Sequence, residues 1–181
     1  LQLVVYLNAA MEAEKKKNPD KKIIPAAILY YHVSDPMVTP DRELSPEEIE
    51  EQILAKLKMN GIVNEEEKIV RLLDQTFETK SDIIPVEKKK DGSFSARSSV
   101  MSSEELKQVS AYVNQKIYGI GTRILQGNIE VNPYEKGTEN ACTYCSYKAV
   151  CGFDEKIDGY RRRKLAGMTQ KEAMEKIVEE E

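Results

Sequence analysis

The chain has 181 residues, 40% of them apolar and 32% charged, with a formal net charge of −4. That length and balance suffice for a folded domain with a sizeable core and exclude a disordered polymer. The acidic balance excludes a global electrostatic pull toward nucleic acid, so any such contact needs a local basic patch. No run approaches the ~18 apolar residues of a membrane span, and no basic flank precedes an apolar stretch as in a secretory leader. Three cysteines crowded into the segment 142–151 do not form a secreted disulfide framework. A cytoplasmic location with no membrane partner is the resulting expectation.

From Leu1 to about Lys17, Leu3, Leu7, Ala10 and Met11, with Tyr6 beside them, follow helical spacing. No Ser, Thr, Asp or Asn precedes this run to cap it, so it reads as an element entered midway and the chain as a piece of a longer one. Asn18-Pro19-Asp20 breaks the helix. Ile23 to Val33 is rich in Ile, Leu and Tyr and reads as a strand buried on both faces. Asp35-Pro36 ends it, and a loop runs through Pro40. Ser45-Pro46-Glu47-Glu48 is a capping box with proline at the first helical position, opening a helix whose apolar face is Ile49, Ile53, Leu54 and Leu57. That helix ends near Asn60-Gly61, and a second, short one spans Glu65 to about Gln75.

The stretch from Thr79 to Val100 is polar and broken by Pro85 and Asp91-Gly92, with Ile83–Val86 and Ser95–Val100 as the arms of a short hairpin. Ser102-Ser103-Glu104-Glu105 caps a long helix that runs to about Gln126. Gly119 and Gly121 weaken its second half, and close packing is the expected reason for them. Gly127 to Pro133 is a turn and extended piece, and Thr169 to Glu172 caps a last helix that ends in acid. No repeat and no linker divides the chain. The strand Ile23–Val33 needs a neighbour, so it is expected to pair with Ser95–Val100 or with a second copy of the chain.

The strongest chemical signal is Cys142-Thr-Tyr-Cys145-Ser-Tyr-Lys-Ala-Val-Cys151, a Cys-x2-Cys-x5-Cys spacing. Two thiolates two residues apart can face one metal across a tight turn, and a third fills three of four tetrahedral positions. Ligation outweighs the reading as three ordinary buried thiols, although the spacing does not choose between zinc and an iron–sulfur cluster. His32, inside an apolar strand, reads as a strand residue with a satisfied hydrogen bond. Gln2 and Tyr6, four apart on a helix, present an amide and a phenol on one face. Asp82-Ile-Ile-Pro-Val-Glu87-Lys88 imitates the acid–acid–lysine set of metal-dependent nucleases, but four intervening residues leave no room for the strand, turn and strand that convergence needs. Arg161-Arg162-Arg163-Lys164 is a local basic run, either a phosphate contact or a solvated helix face.

These pieces occur in an order that resembles a known family. Gln2-Leu3-Val4-Val5-Tyr6 is similar to the Gln-x3-Tyr motif of the RecB-like branch of the PD-(D/E)xK nucleases. The strand Ile24 to His32 with its Asp35-Pro36 exit follows, and Asn132-Pro133 leads into cysteines that resemble the last three ligands of that branch's iron–sulfur staple. The combination resembles the C-terminal end of the B subunits of AddAB (RexAB) helicase–nucleases. The resemblance implies a helix-rich α/β fold, an incomplete PD-(D/E)xK (restriction-endonuclease-like) core with one or a few strands and several helices. It divides one partial domain into a Gln-x3-Tyr helix and core strand (1–36), a helical insertion with a possible hairpin (37–100), a long helix and connection (101–135), the cysteine staple with the basic segment (136–165) and a C-terminal helix (166–181).

The resemblance further implies that the whole protein is an ATP-dependent helicase/exodeoxyribonuclease subunit processing double-strand breaks, with DNA and the A subunit as partners. Cys142, Cys145 and Cys151 would then hold a 4Fe–4S cluster with a fourth cysteine from upstream. Gln2 and Tyr6 would assist a Mg²⁺-binding acid pair and lysine that also lie upstream. This chain alone is accordingly expected to be inactive and to hold neither cofactor intact. The alternative is a zinc-stapled DNA- or protein-interaction module without enzymatic activity.

Overall fold

The computed structural model describes residues 1–33, 35–39 and 41–179. Pro40, in the expected loop, and Glu180-Glu181, the expected acidic end, lie outside the described residues. The chain divides into two compact units, Leu1–Val113 and Asn114–Glu181.

The first unit opens with α1 (Gln2–Lys17), whose last turn carries Lys15, Lys16 and Lys17 against the negative end of the helix. It packs against β1 (Ala27–Tyr30). Here the sequence expectation needs correction. The strand covers four residues rather than Ile23–Val33, its residues are at most half-buried, and Tyr31, His32 and Val33 beyond it are exposed. The apolar run is one flank of a small sheet, not its centre, so it lacks a second covering layer. His32 is an exposed coil residue and not a buried strand residue.

The partner of β1 is β2 (Asn60–Asn64), which pairs with it antiparallel, Ala27 opposite Val63 and Leu29 opposite Gly61. β2 follows α2 (Pro46–Leu57), which starts at the expected capping box: Ser45 Oγ accepts from Glu48 N at 3.2 Å and Glu48 Oε2 accepts from Ser45 N at 2.9 Å. Gly61 has φ +139°, and a Cβ there would stand 2.0 Å from the Ile28 carbonyl oxygen, so this ladder position requires glycine. β2 then pairs in parallel with β3 (Val100–Met101), giving the order β1-β2-β3 with β1 at an edge. The expected hairpin of Ile83–Val86 with Ser95–Val100 does not form. Isolated bridges join Lys80 to Glu87 and Lys88 to Phe94 instead, and Val100 belongs to the sheet through β2, not through β1.

The core of this unit is Val63, Val70, Phe77, Ile84 and Val86, with Leu29, Leu73, Phe94 and Val100 packed around them. Val70 comes from α3 (Glu67–Leu73). Two buried polar residues tie the core's edges. Asn64 donates to the Pro25 carbonyl at 2.9 Å and to Ser103 Oγ at 2.8 Å, and accepts from Glu66 N at 3.0 Å. Asp74, which ends α3, accepts from Ser81 Oγ and Thr76 Oγ1, both at 2.6 Å, and from Thr76 N at 3.0 Å. Burial is the largest single influence on the Asp74 carboxyl and pushes its pKa up. The three hydrogen bonds together outweigh it and leave the carboxyl below its ordinary range.

α4 (Ser103–Leu125) starts at a second capping box, in which Glu105 Oε2 accepts from Ser102 N at 2.8 Å and Ser102 Oγ accepts from Glu105 N at 3.1 Å. Gly119 and Gly121 are not sites of close packing: a Cβ at either would meet nothing within 4 Å. In the second unit, β4 (Tyr134–Lys136) pairs antiparallel with β5 (Glu139–Asn140) and parallel with β6 (Arg163–Lys164), in the order β5-β4-β6. The basic run is therefore strand-like rather than a helix face. α5 (Lys148–Cys151) lies between β5 and β6, and α6 (Gln170–Glu179) follows the expected cap, Thr169 Oγ1 accepting from Glu172 N at 3.3 Å.

Candidate metal centre

The three cysteines are free thiols carried on successive tight turns after β5. Asn140 Oδ1 accepts from Cys142 N at 3.0 Å, the Cys142 carbonyl from Cys145 N at 3.4 Å and the Cys145 carbonyl from Lys148 N at 3.3 Å. The single turn of α5 then brings Cys151 round, its N–H donating to the Tyr147 carbonyl at 2.9 Å, and Gly152 closes that turn in the left-handed region at φ 68°. Cys142, Cys145 and Cys151 line one cavity of about 360 Å³ with Asn140, Lys148, Phe153 and Arg162.

Among the described residues no three His, Cys, Asp or Glu side chains are drawn close enough to enclose a metal ion. The sulfurs share the cavity wall without converging. In kind, the donor set fits a thiolate-ligated metal or cluster: three cysteines line one cavity, and the cations Lys148 and Arg162 on the same wall would offset the negative charge that thiolates bring.

Of the four basic residues at 161–164, only Arg162 turns inward. Arg161, Arg163 and Lys164 are exposed. Arg162 Nη1 lies 3.2 Å from both Glu135 Oε2 and Glu155 Oε2, and its guanidinium stands 6.0 Å from the Phe153 ring centre. Phe153 in turn meets Tyr160 edge-on at 5.5 Å. The Glu135 hydrogen bond, opposed in part by burial, and then the charges of Glu155 and Cys142 hold the guanidinium even more firmly protonated than usual. Sequence reading took the run as uniform and missed both this residue's role and the part of Lys148. Four adjacent basic residues carry no periodicity that would single one of them out.

The first unit holds the other motif. Gln2 Nε2 donates to the exposed Tyr6 Oη at 2.7 Å on α1, which leaves the phenol O–H free to donate elsewhere. Asp82, Glu87 and Lys88 form no acidic cluster with a lysine. Asp82 is exposed, while Lys88 Nζ is held 2.8 Å from Glu67 and lies over the rings of Phe77 and Phe94, at 5.9 and 5.8 Å. No helix among the described residues is long and apolar enough to cross a membrane.

Comparison with known proteins decides the family. The profile of the PD-(D/E)XK nuclease superfamily matches residues 1–152, a span that takes in Gln2, Tyr6 and all three cysteines. The chain belongs to the PD-(D/E)XK nuclease superfamily. Within it, this chain is 42% identical over 190 residues to the B subunit of the ATP-dependent helicase/deoxyribonuclease of Lachnoclostridium phytofermentans, covering 100% of this chain and 16% of that protein. It is 43% identical over 182 residues to the protein of the same name from Bacillus mycoides, covering 99% and 16%. The Bacillus anthracis protein of that name is 42% identical over the same length and shares. The chain thus spans about 16% of the length of these relatives. The resemblance read from the sequence is borne out, as is the helix-rich α/β fold class of a PD-(D/E)XK protein.

Proposed function

We propose that this chain is the cysteine-bearing end of the nuclease module in the B subunit of an ATP-dependent helicase/deoxyribonuclease. In that assembly it processes double-strand DNA breaks for recombinational repair in the bacterial cytoplasm, beside the A subunit. Cys142, Cys145 and Cys151 are three ligands of a 4Fe–4S cluster, and the fourth comes from the additional length of the whole subunit. The observation that carries this reading is the placement of all three cysteines on one cavity, inside the span matched by the nuclease superfamily. When bound, the cluster supplies a cross-link rather than a reaction step. It closes a long loop of chain and restrains a segment with little core of its own.

The Mg²⁺-dependent hydrolysis belongs to an acid pair and lysine elsewhere in the subunit, because Lys88 is committed to Glu67. Gln2 and Tyr6 serve as accessory groups, their mutual hydrogen bond fixing a phenol proton to donate to a phosphate or metal-bound water. Arg161, Arg163 and Lys164 supply exposed cations for the DNA backbone. The separate chain is inactive and holds neither cofactor intact, and β1, a sheet edge, is its route to self-association.

The test is elemental analysis of the whole B subunit purified with its partner under anaerobic conditions. About four iron and four sulfide per subunit, lost in Cys145→Ser together with DNA-end processing, are expected. A single zinc instead makes the chain a zinc-stapled interaction module. Asp82→Asn and Glu87→Gln should leave Mg²⁺-dependent cleavage intact, and loss of cleavage in both would return the chemistry to that segment.

A further inference from the structure

Arg162 carries a group that none of its visible contacts employs. Among the described residues, its Nε is shielded from solvent yet makes no hydrogen bond, whereas Nη1 already meets Glu135 and Glu155. Buried donors without partners are rare in folded proteins, and one on a residue that lines a ligand site points to a missing acceptor. The sheet order β5-β4-β6 places Arg162 beside the cysteines. Asn140 ends β5 opposite Glu135, and the next turn delivers Cys142. Arg162 directly precedes β6, on the other flank of β4, where Arg163 N donates to the Pro133 carbonyl at 2.9 Å. Arg162 and Cys142 therefore reach the same cavity from either side of Glu135.

We propose that Arg162 is a positioning residue of the cysteine centre, its Nε–H donating a hydrogen bond to the sulfur of Cys142 when that sulfur ligates the cluster. Glu135 and Glu155 aim the guanidinium, and Phe153 supports its face. The inference rests on the cluster reading above and assigns a role within it. A metal-bound thiolate keeps lone pairs that accept hydrogen bonds, and such outer partners orient the ligand and strengthen its hold. Hydrogen bonds to cluster sulfurs and nearby positive charge also favour the more negative, reduced state. The neighbouring Arg161 and Arg163 are exposed and line no part of this cavity.

The test compares the wild-type protein, as the full-length B subunit in its native complex, with Arg162→Gln and Arg162→Lys. The readouts are the cluster's reduction potential, its iron–sulfur stretching bands in resonance Raman spectra and the rate of iron release to a chelator. Both variants should assemble iron and sulfide, show a lower potential and shifted stretching bands, and release iron about 10-fold faster. Glu135→Gln, which keeps the donor but loosens its aim, should move the same readouts in the same direction by less. A strut serving only Glu135 and Glu155 predicts that Arg162→Lys, retaining the charge, leaves the potential and bands unchanged. That result overturns the proposal, as do unchanged bands in Glu135→Gln should the Arg162 variants fail to fold. A wild-type protein without iron overturns the cluster reading itself, which separates the two failures.

Discussion

From β2 to the start of α4 the backbone is fixed by apolar burial, with Val63, Val70, Phe77, Ile84, Val86 and Leu106 all at 2% exposure or less. From Asn114 onward, Met174 is the one buried hydrophobic residue among those described, and the cysteine turns are lined by exposed Tyr144, Tyr147 and Val150. The first region excludes water and backs its turns with the Asp74 and Asn64 networks. The second is held by short ladders, an Arg162–glutamate cluster and tight turns, most of them open to solvent. A segment with so little burial cannot offset its conformational entropy by the hydrophobic effect alone. Small stretches of this kind are commonly held by a staple, and the proposed cluster on the cysteines would provide one.

The sharpest way to break the apolar half of that comparison is Phe77→Ala. It removes a ring that is 1% exposed and should cost about 3–5 kcal/mol in urea unfolding, with iron content per folded subunit unchanged. Gly61→Ala drives a Cβ into the Ile28 carbonyl and should cost about 2–3 kcal/mol, read as a lower unfolding midpoint with unchanged slope. At Asp74 the depressed pKa sets the sign. A carboxyl lowered in the folded state stabilises above its unfolded pKa, near 3.8, and loses that stabilisation as pH falls through the folded value. Unfolding of the first unit should therefore steepen below about pH 4. Asp74→Asn should remove that acid dependence and cost about 1–3 kcal/mol, and an unaltered acid limb would remove Asp74 from the account. Gly119→Ala and Gly121→Ala, in open helical positions, should each stabilise by about 0.5–1 kcal/mol.

Much of this was legible in the sequence where the controlling interaction is local. The capping boxes at Ser45, Ser102 and Thr169 and the long helix starting at Ser103 follow from side chains within three residues of the backbone groups they satisfy. The cysteine spacing likewise indicated a shared site because its turns are short. What depended on distant partners was misread. Asn60-Gly61 looked like a helix end because both are turn residues; only the approach of Ile28 makes Gly61 a strand position. The run Ile23–Val33 looked doubly buried because hydropathy does not report how many layers cover a strand. Arg162 was hidden among identical neighbours, and its inward turn depends on β4 lying alongside.

The central claim is that the first region is held by its core and the cysteine region by the proposed cluster. Amide hydrogen exchange across the whole B subunit, before and after chelation of its iron, tests this most directly. Amides of 134–165 should exchange at least 10-fold faster once the iron is removed, while those of Val63, Val70 and Val86 keep their rates. Equal protection of 134–165 in both states would contradict the account, because the segment would then be stable without its staple.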